Sequence, residues 1–214
     1  ITKAEIVDSY DLGVKYQSAN FIFSGAIFTY EYSDYQQSYT DQETLQSITV
    51  TVGDSTMSGI EGMATYNYSD TLTFTASLGF LDAEFADNTS DGSPFQYGGN
   101  KFRLAPEVSG AININKVVHF DNWTMDVNWL TSFQSEVFFE SSNYPGMSQD
   151  TYSLTDFSLK LNRESSEFAY EFYVNNLFDK EFLIDAGNTG GRIGIPTFVR
   201  GMPRIAGVRL YYAF

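Results

Sequence analysis

Apolar and polar residues alternate with a period of two over most of this chain. In residues 206–214, Ala206, Val208, Leu210, Tyr212 and Phe214 fall on one face, with Gly207, Arg209, Tyr211 and Ala213 on the other. Such alternation marks a strand whose two faces meet different surroundings. Residues 167–175 repeat it: Phe168, Tyr170, Phe172 and Val174 oppose Glu167, Glu171, Tyr173 and Asn175. The clearest case is residues 71–80, where Leu72, Phe74, Ala76, Leu78 and Phe80 oppose Thr71, Thr73, Thr75, Ser77 and Gly79.

The same reading predicts further strands over residues 9–16, 21–32, 59–68, 108–116, 123–134 and 156–162. The set is about nine strands, all β, with no heptads and no amphipathic helix. In residues 21–32, Ala26, Phe28, Tyr30 and Tyr32 oppose Thr29 and Glu31, although the first half carries apolar residues on both faces. Residues 33–58, 86–105, 140–150 and 179–199 read as long polar loops, and the connections between strands alternate short and long. In an up-and-down meander, alternate connections lie at opposite ends, so all short turns fall at one end. Outer-membrane barrels sort their connections in this way, with short periplasmic turns and longer extracellular loops. Greek-key crossings in a soluble sandwich would mix them.

Aromatic residues make up 17% of the chain, yet its mean hydropathy is slightly negative at −0.22. That combination suits strands with one wet face. No apolar run approaches the ~20 residues a membrane helix needs, whereas a barrel strand needs only about 9–11. Tyr16, Tyr30, Tyr66, Tyr68 and Trp123 stand near strand ends, where amphipathic rings favour a membrane interface. The net charge of −15, from 27 acidic and 12 basic residues, argues against a nucleic-acid partner, which calls for clustered cations.

Two motifs carry a family resemblance. Asn176-Leu177-Phe178-Asp179-Lys180-Glu181-Phe182 resembles the N-L-F-D-K-x-Y stretch of TonB-dependent outer-membrane receptors, with Phe182 in place of the usual tyrosine. Pro203-Arg204, followed by the strand ending at Phe214, resembles their closing strand, and Tyr10-Asp11-Leu12-Gly13-Val14-Lys15 resembles their recurrent Y-E-L-G-x-K strand. The resemblance implies an antiparallel up-and-down transmembrane β-barrel in the bacterial outer membrane, of about 22 strands, of which this chain would supply the last nine. It further implies TonB-energised uptake of a scarce ligand such as a ferric siderophore, a cobalamin or a glycan, without an enzymatic step or cofactor. The amino-terminal plug and the TonB box are not among these residues, and no signal peptide or initiator Met opens the chain, so a piece of a longer receptor is expected. Implied partners are the missing strands and plug, the TonB complex through that plug, outer-membrane lipids, and the barrel-assembly machinery through the carboxy-terminal strand. Two rivals remain at this point: a complete small barrel acting as adhesin or pore, and a soluble carbohydrate-binding sandwich.

Candidate chemistry outside these motifs is sparse. Asp87, Thr89 and Asp91 imitate the start of a calcium loop, but Gly98 occupies the position of the closing glutamate and no helices flank them. A solvated acidic loop explains the same residues. His119 is the only histidine, which leaves no multi-histidine metal site. Asp82 and Glu84 alternate on one strand and could face a wet lumen together. Phe95, Tyr97, Tyr144 and Phe198 lie in long loops, where they could stack on a ligand or pack the loops against one another.

Overall fold

The computed structural model describes residues 4–40, 46–86, 97–187 and 195–213. Its strands, in chain order, are β1 (Ile6–Gln17), β2 (Phe21–Thr40), β3 (Ser47–Ser69), β4 (Leu72–Phe85), β5 (Val108–Phe120), β6 (Trp123–Gln134), β7 (Val137–Phe138), β8 (Ser148–Gln149), β9 (Tyr152–Arg163), β10 (Phe168–Asn175), β11 (Leu183–Gly187), β12 (Thr197–Arg200) and β13 (Ile205–Tyr212). Nine of them form one antiparallel sheet in the order β1-β2-β3-β4-β5-β6-β9-β10-β13, while β7/β8 and β11/β12 are small hairpins inserted into connections. The sheet is therefore a meander. Its short turns gather at one end, as at Asp121-Asn122, where Asp121 takes a left-handed φ of 50° that an aspartate tolerates.

Strand register defines two faces, because directly paired residues point the same way. One row crosses six strands through Leu72, Lys116, Val127, Leu159, Phe172 and Val208. The next row on that face runs Phe21, Tyr66, Phe74, Ile114, Trp129, Phe157, Val174 and Ala206. Between them lies a row of the opposite face: Asn67, Thr73, Asn115, Asn128, Ser158, Tyr173 and Gly207. The polar face is hydrogen-bonded across strands. Asn113 and Asn128 exchange amide bonds of 3.2 and 3.3 Å, and Asn115 Nδ2 donates to Asp126 Oδ1 at 2.6 Å.

Among the described residues, no second sheet packs on the apolar face. Leu12 is 70% exposed, Val208 62%, Phe172 49% and Leu78 43%. Among the described residues, buried apolar side chains occur only above the apolar band, in two small clusters formed by the upper ends of β3 and β4 and by the long connections. A soluble sandwich would bury the inner faces of two sheets against each other; here one nine-stranded sheet stands with no second sheet facing it, so that rival falls. The closed small barrel falls too, since it required β1 to pair with the last strand. Instead β1 and β13 are the two edges. On β4 the apolar band runs from Leu72 to Phe80, about 26 Å along the strand and about 20 Å along a membrane normal at the usual tilt. That matches an apolar belt about 25 Å tall.

Three expectations change. Residues 33–40 and 47–58 are strand rather than loop: β2 continues to Thr40 and β3 begins at Ser47, so the two strands stand as a ribbon well above the apolar band. On β3 Ile48, Val50 and Val52 alternate with Thr49 and Thr51, and Val52 is fully buried, but the alternation is short and β2 from Ser33 to Thr40 is mostly polar. On β2 the residues Phe28 and Tyr30 pair with Asp11 and Ser9 and so point to the polar face, while Thr29 and Glu31 point outward with Tyr10 and Asp8. Asp82 and Glu84 continue the outward row of Phe80 rather than facing the lumen. They lie past the top of the band, where Thr29 and Ser58 already share a hydroxyl bond of 2.8 Å.

The Asn176 motif is a clamp at the wall's upper rim. Asn176 is 5% exposed and holds φ 50°. Its Nδ2 donates to the carbonyls of Lys180 (2.9 Å) and Met202 (3.1 Å), and its Oδ1 accepts from the Lys180 amide at 2.8 Å. Its own amide donates to Asp156 Oδ1, and the Leu177 amide to the Thr155 carbonyl, so the end of β10 stays tied to β9. Asp179 Oδ1 accepts from the Arg204 amide at 2.9 Å and thereby joins the two sides of the last connection. Phe178 turns out over the lipid-facing Trp129, 6.4 Å between ring centroids. Phe214 lies outside the described residues.

Three outcomes follow. A spin label at position 78 or 172 in the bilayer-embedded protein should show high accessibility to oxygen and low accessibility to a water-soluble nickel reagent; low values for both would mean a protein core. Leu78→Arg should cost about 2–4 kcal/mol of membrane folding, measured by urea titration into lipid, while Ser77→Arg on the wet face should fold nearly as the parent. By the same titration, Asn176→Ala should cost about 2–4 kcal/mol, because it removes the partner of two part-buried carbonyls and keeps a left-handed φ that alanine resists. A change below about 0.5 kcal/mol, ordinary for a surface site, would show that the clamp does not hold the rim.

Candidate functional site

Two surfaces offer a ligand something to bind: the wet inner wall, and the connections folded over its upper end. The wall is built from small residues where β1 to β6 curve. Gly13, Ser24, Ala26, Ser77, Gly79 and Ala111 line a groove of about 810 Å³, with Lys15, Glu61 and Gln134 adding charge and amide groups. Small side chains lower the wall locally, so another protein surface can approach the backbone closely.

Toward the last strands the inner wall becomes charged. Arg209 Nη1 donates to Glu171 Oε2 at 3.0 Å, and Tyr211 OH donates to the same oxygen at 2.5 Å. The Arg209 guanidinium also covers the Tyr173 ring at 4.0 Å, and Lys160 lies 4.6 Å from the centre of the Tyr211 ring. Tyr173 in turn roofs Gly207, where a Cβ would stand 2.5 Å from the phenol oxygen. A bulky residue at 207 would lift Tyr173 and the guanidinium stacked on it.

Above the wall, the ribbon of β2 and β3 supports an aromatic cluster. Phe85 and Phe102 are 4.7 Å apart by centroid, Tyr35 lies 5.6 Å from Phe85 and 5.4 Å from Phe102, and Tyr97 lies 5.5 Å from Phe85. Val52 and Ala83 complete the buried set. Burial pushes the Tyr35 phenol up, with the Glu5 carboxylate adding to the effect, and burial followed by Glu140 raises Tyr97. A second cluster, Val137, Phe139, Met147 and Ala186, joins the β7/β8 hairpin to β11.

Polar bonds link the two clusters into one layer. Gln37 Nε2 donates to Ser141 Oγ (3.0 Å), and Asn100 Nδ2 donates to the Ser141 carbonyl (2.9 Å). Asn143, at φ 47°, accepts from the Lys101 amide (2.7 Å) and donates back to the Lys101 carbonyl (2.9 Å). The Leu104 amide donates to the Phe138 carbonyl, and the Leu183 amide to Gln149 Oε1. Lys101 and Glu107 form an ion pair.

Among the sequence-derived candidates, Tyr97 is half-buried beside the aromatic cluster. Tyr144 (61% exposed) and Phe198 (51%) stand open on the surface. Phe95, Asp87, Thr89 and Asp91 lie outside the described residues. His119 Nδ1 is 3.2 Å from Thr124 Oγ1 beside a short turn. Among the described residues, no three His, Asp or Glu side chains converge to hold a metal ion. Sequence reasoning missed Tyr35, Phe102, Gln37, Ser141 and Asn143. The alternation of Ile48, Val50 and Val52 with Thr49 and Thr51, and the aromatic spacing of Tyr32 and Tyr35, are the signals that point to packing there.

Comparison with known proteins completes the picture. Residues 2–177 match the family model described as TonB dependent receptor-like, beta-barrel. The pesticin receptor of Yersinia pestis is 22% identical over 179 residues, covering 84% of this chain and 25% of that protein. The crystal structure of the ferric yersiniabactin uptake receptor FyuA from Yersinia pestis superposes with a TM-score of 0.81 at 22% identity, over 98% of this chain and 30% of that one. BauA, the ferric preacinetobactin receptor of Acinetobacter baumannii, gives 0.72 at 16% identity over 96% of this chain and 29% of that one. The copper transporter OprC gives 0.73 at 16%, over all of this chain and 33% of that one. The chain thus spans a quarter to a third of the relatives it matches. With an apolar outer face, a wet inner face, two open edges and a family match across most of its length, this chain belongs to the β-barrel family of TonB-dependent outer-membrane receptors.

Proposed function

We propose that this chain is the carboxy-terminal wall of a receptor that takes up a scarce metal chelate, a ferric siderophore first among the candidates, with energy delivered through TonB. The observation that carries this reading is the single meander with two unpaired edges, apolar outside and polar inside. A wall of that kind encloses a lumen only together with further strands, and the small-residue groove on its inner side suits a plug seated against it. Of the relatives named above, FyuA and BauA are described as receptors for ferric chelates and OprC as a transporter of copper, which favours a metal complex over a cobalamin or a glycan.

In this reading the chain performs no chemistry on its ligand and needs no cofactor. Its outer face holds the bilayer, its inner face contacts the plug, and the layer above the ribbon forms part of the vestibule. Tyr97, Tyr144, Phe198 and Phe95 remain the residues proposed to meet the ligand there. The closing strand β13 is the segment offered to the barrel-assembly machinery, and the plug, through its own TonB box, engages TonB.

The test is uptake of a radiolabelled ferric chelate by Gram-negative cells that express the receptor at full length and lack their own ferric receptors. Uptake should saturate and should vanish when TonB is deleted or the proton gradient is collapsed. Uptake that persists without TonB would identify a passive pore. Energised uptake by residues 1–214 alone would equally refute the assignment, because a wall without a plug has nothing for TonB to pull.

A further inference from the structure

We propose that Lys116, with the hydroxyls of Thr71 and Ser69, forms a binding site for the phosphate of a phospholipid head group in the periplasmic leaflet. The proposal rests on the reading of the apolar face as lipid-facing. Lys116 is the one charged side chain in the outward row Leu72, Lys116, Val127, Leu159, Phe172 and Val208. Its neighbours two positions away on β5, Ile114 and Val118, point the same way. A lysine among such residues keeps its charge by extending its apolar stem along the wall until the ammonium reaches polar surroundings.

The structure shows where it goes. Lys116 Nζ donates to Thr71 Oγ1 at 2.8 Å, at the short turn between β3 and β4. Ser69 Oγ lies 3.3 Å from that hydroxyl and accepts from the Thr71 amide at 3.3 Å. One ammonium N–H is used on Thr71, leaving two to donate, and Lys116 makes no ion pair with any described carboxylate. Asp70 shares the turn but lies outside ion-pair range. On β3, Tyr66 (40% exposed) and Tyr68 (66%) stand edge to face at 6.4 Å beside the same turn, placed like the amphipathic rings that mark head-group level.

An unspent ammonium at that level, beside hydroxyls and above apolar wall, suits a monoanionic phosphodiester with two acyl chains. The phosphate would accept from Nζ and the hydroxyls, while the chains would lie on Ile114, Val127 and Leu159. Arg163, the other outward cation at this end, is occupied over the Trp123 ring at 5.8 Å and marks the edge of the same belt.

The experiment titrates phosphatidylglycerol into the receptor at full length in an uncharged maltoside detergent and counts bound lipid by native mass spectrometry. Lys116→Gln should weaken the tightest site about five-fold, the effect of one cation at an anionic lipid surface. Lys116→Arg should retain it, and Lys160→Gln, on the wet face, should leave it unchanged. Inorganic phosphate at the same concentration should not displace the lipid, since it lacks acyl chains. Equal binding by Lys116→Gln and the parent, equal loss in Lys160→Gln, or displacement by inorganic phosphate would each overturn the proposal. Spin labels at 78 and 172 in the same preparation separate the two readings. High oxygen accessibility with an unmoved lipid site sinks the head-group proposal alone, whereas a dry protein core at those positions sinks the lipid-facing wall and this site with it.

Discussion

Hydrocarbon offers no partner to a backbone amide or carbonyl, so a chain that crosses a bilayer in strands must satisfy each group against a neighbouring strand. Everything in this wall follows from that demand. The register runs without a break between β4 and β5, β5 and β6, and β6 and β9, and bulges appear only past the apolar band or at the turns. The outward side chains can then be almost wholly apolar, because the ladder alone disposes of the polar backbone. The same demand makes β1 and β13 incomplete: each has one partner and one open edge, which no bilayer tolerates. The missing neighbours are thus a physical requirement of these residues as well as an implication of kinship.

Above the bilayer the rules change, and so does the construction. Water satisfies the backbone there, and strands are held by side chains instead. The β2/β3 ribbon carries the Phe85 cluster, and Ser141 and Asn143 bind it to the next connection through four hydrogen bonds. Among the described residues, buried apolar side chains occur in this layer and not within the apolar band of the wall. That distribution inverts a soluble protein, where strands enclose the core and loops cover it.

How much could be read from residues alone follows the same division. Within the band, burial on one side and water on the other impose period two, and the positions of β4, β6, β10 and β13 were legible from Leu72 to Phe80 and from Trp123 onward. Past the band the signal shortens: β2 from Ser33 to Thr40 is mostly polar, and on β3 only Ile48, Val50 and Val52 alternate with threonines, so the upper halves of both strands read as loop. Asp82 and Glu84 misled because carboxylates suggest a lumen, yet parity from Phe80 places them outward where the membrane has already ended. The aromatic cluster was unreadable for a further reason: Tyr35, Phe85 and Phe102 meet from three separate segments, and no spacing records that.

The receptor motif is instructive because its polar residues suggest ligand chemistry and its geometry uses them otherwise. Asn176 spends its amide on Lys180 and Met202, and Asp179 spends a carboxylate oxygen on the Arg204 amide. Each buried polar atom is therefore committed to the chain itself. At this rim the ladder between β10 and β13 must end and the ribbon β11/β12 must begin, and a left-handed residue with both a donor and an acceptor side chain closes that gap. Asparagine meets both conditions, tolerating φ near 50° while bonding two carbonyls and an amide. A motif of this kind marks where the wall stops, so the ligand's identity has to be sought in the connections beyond it.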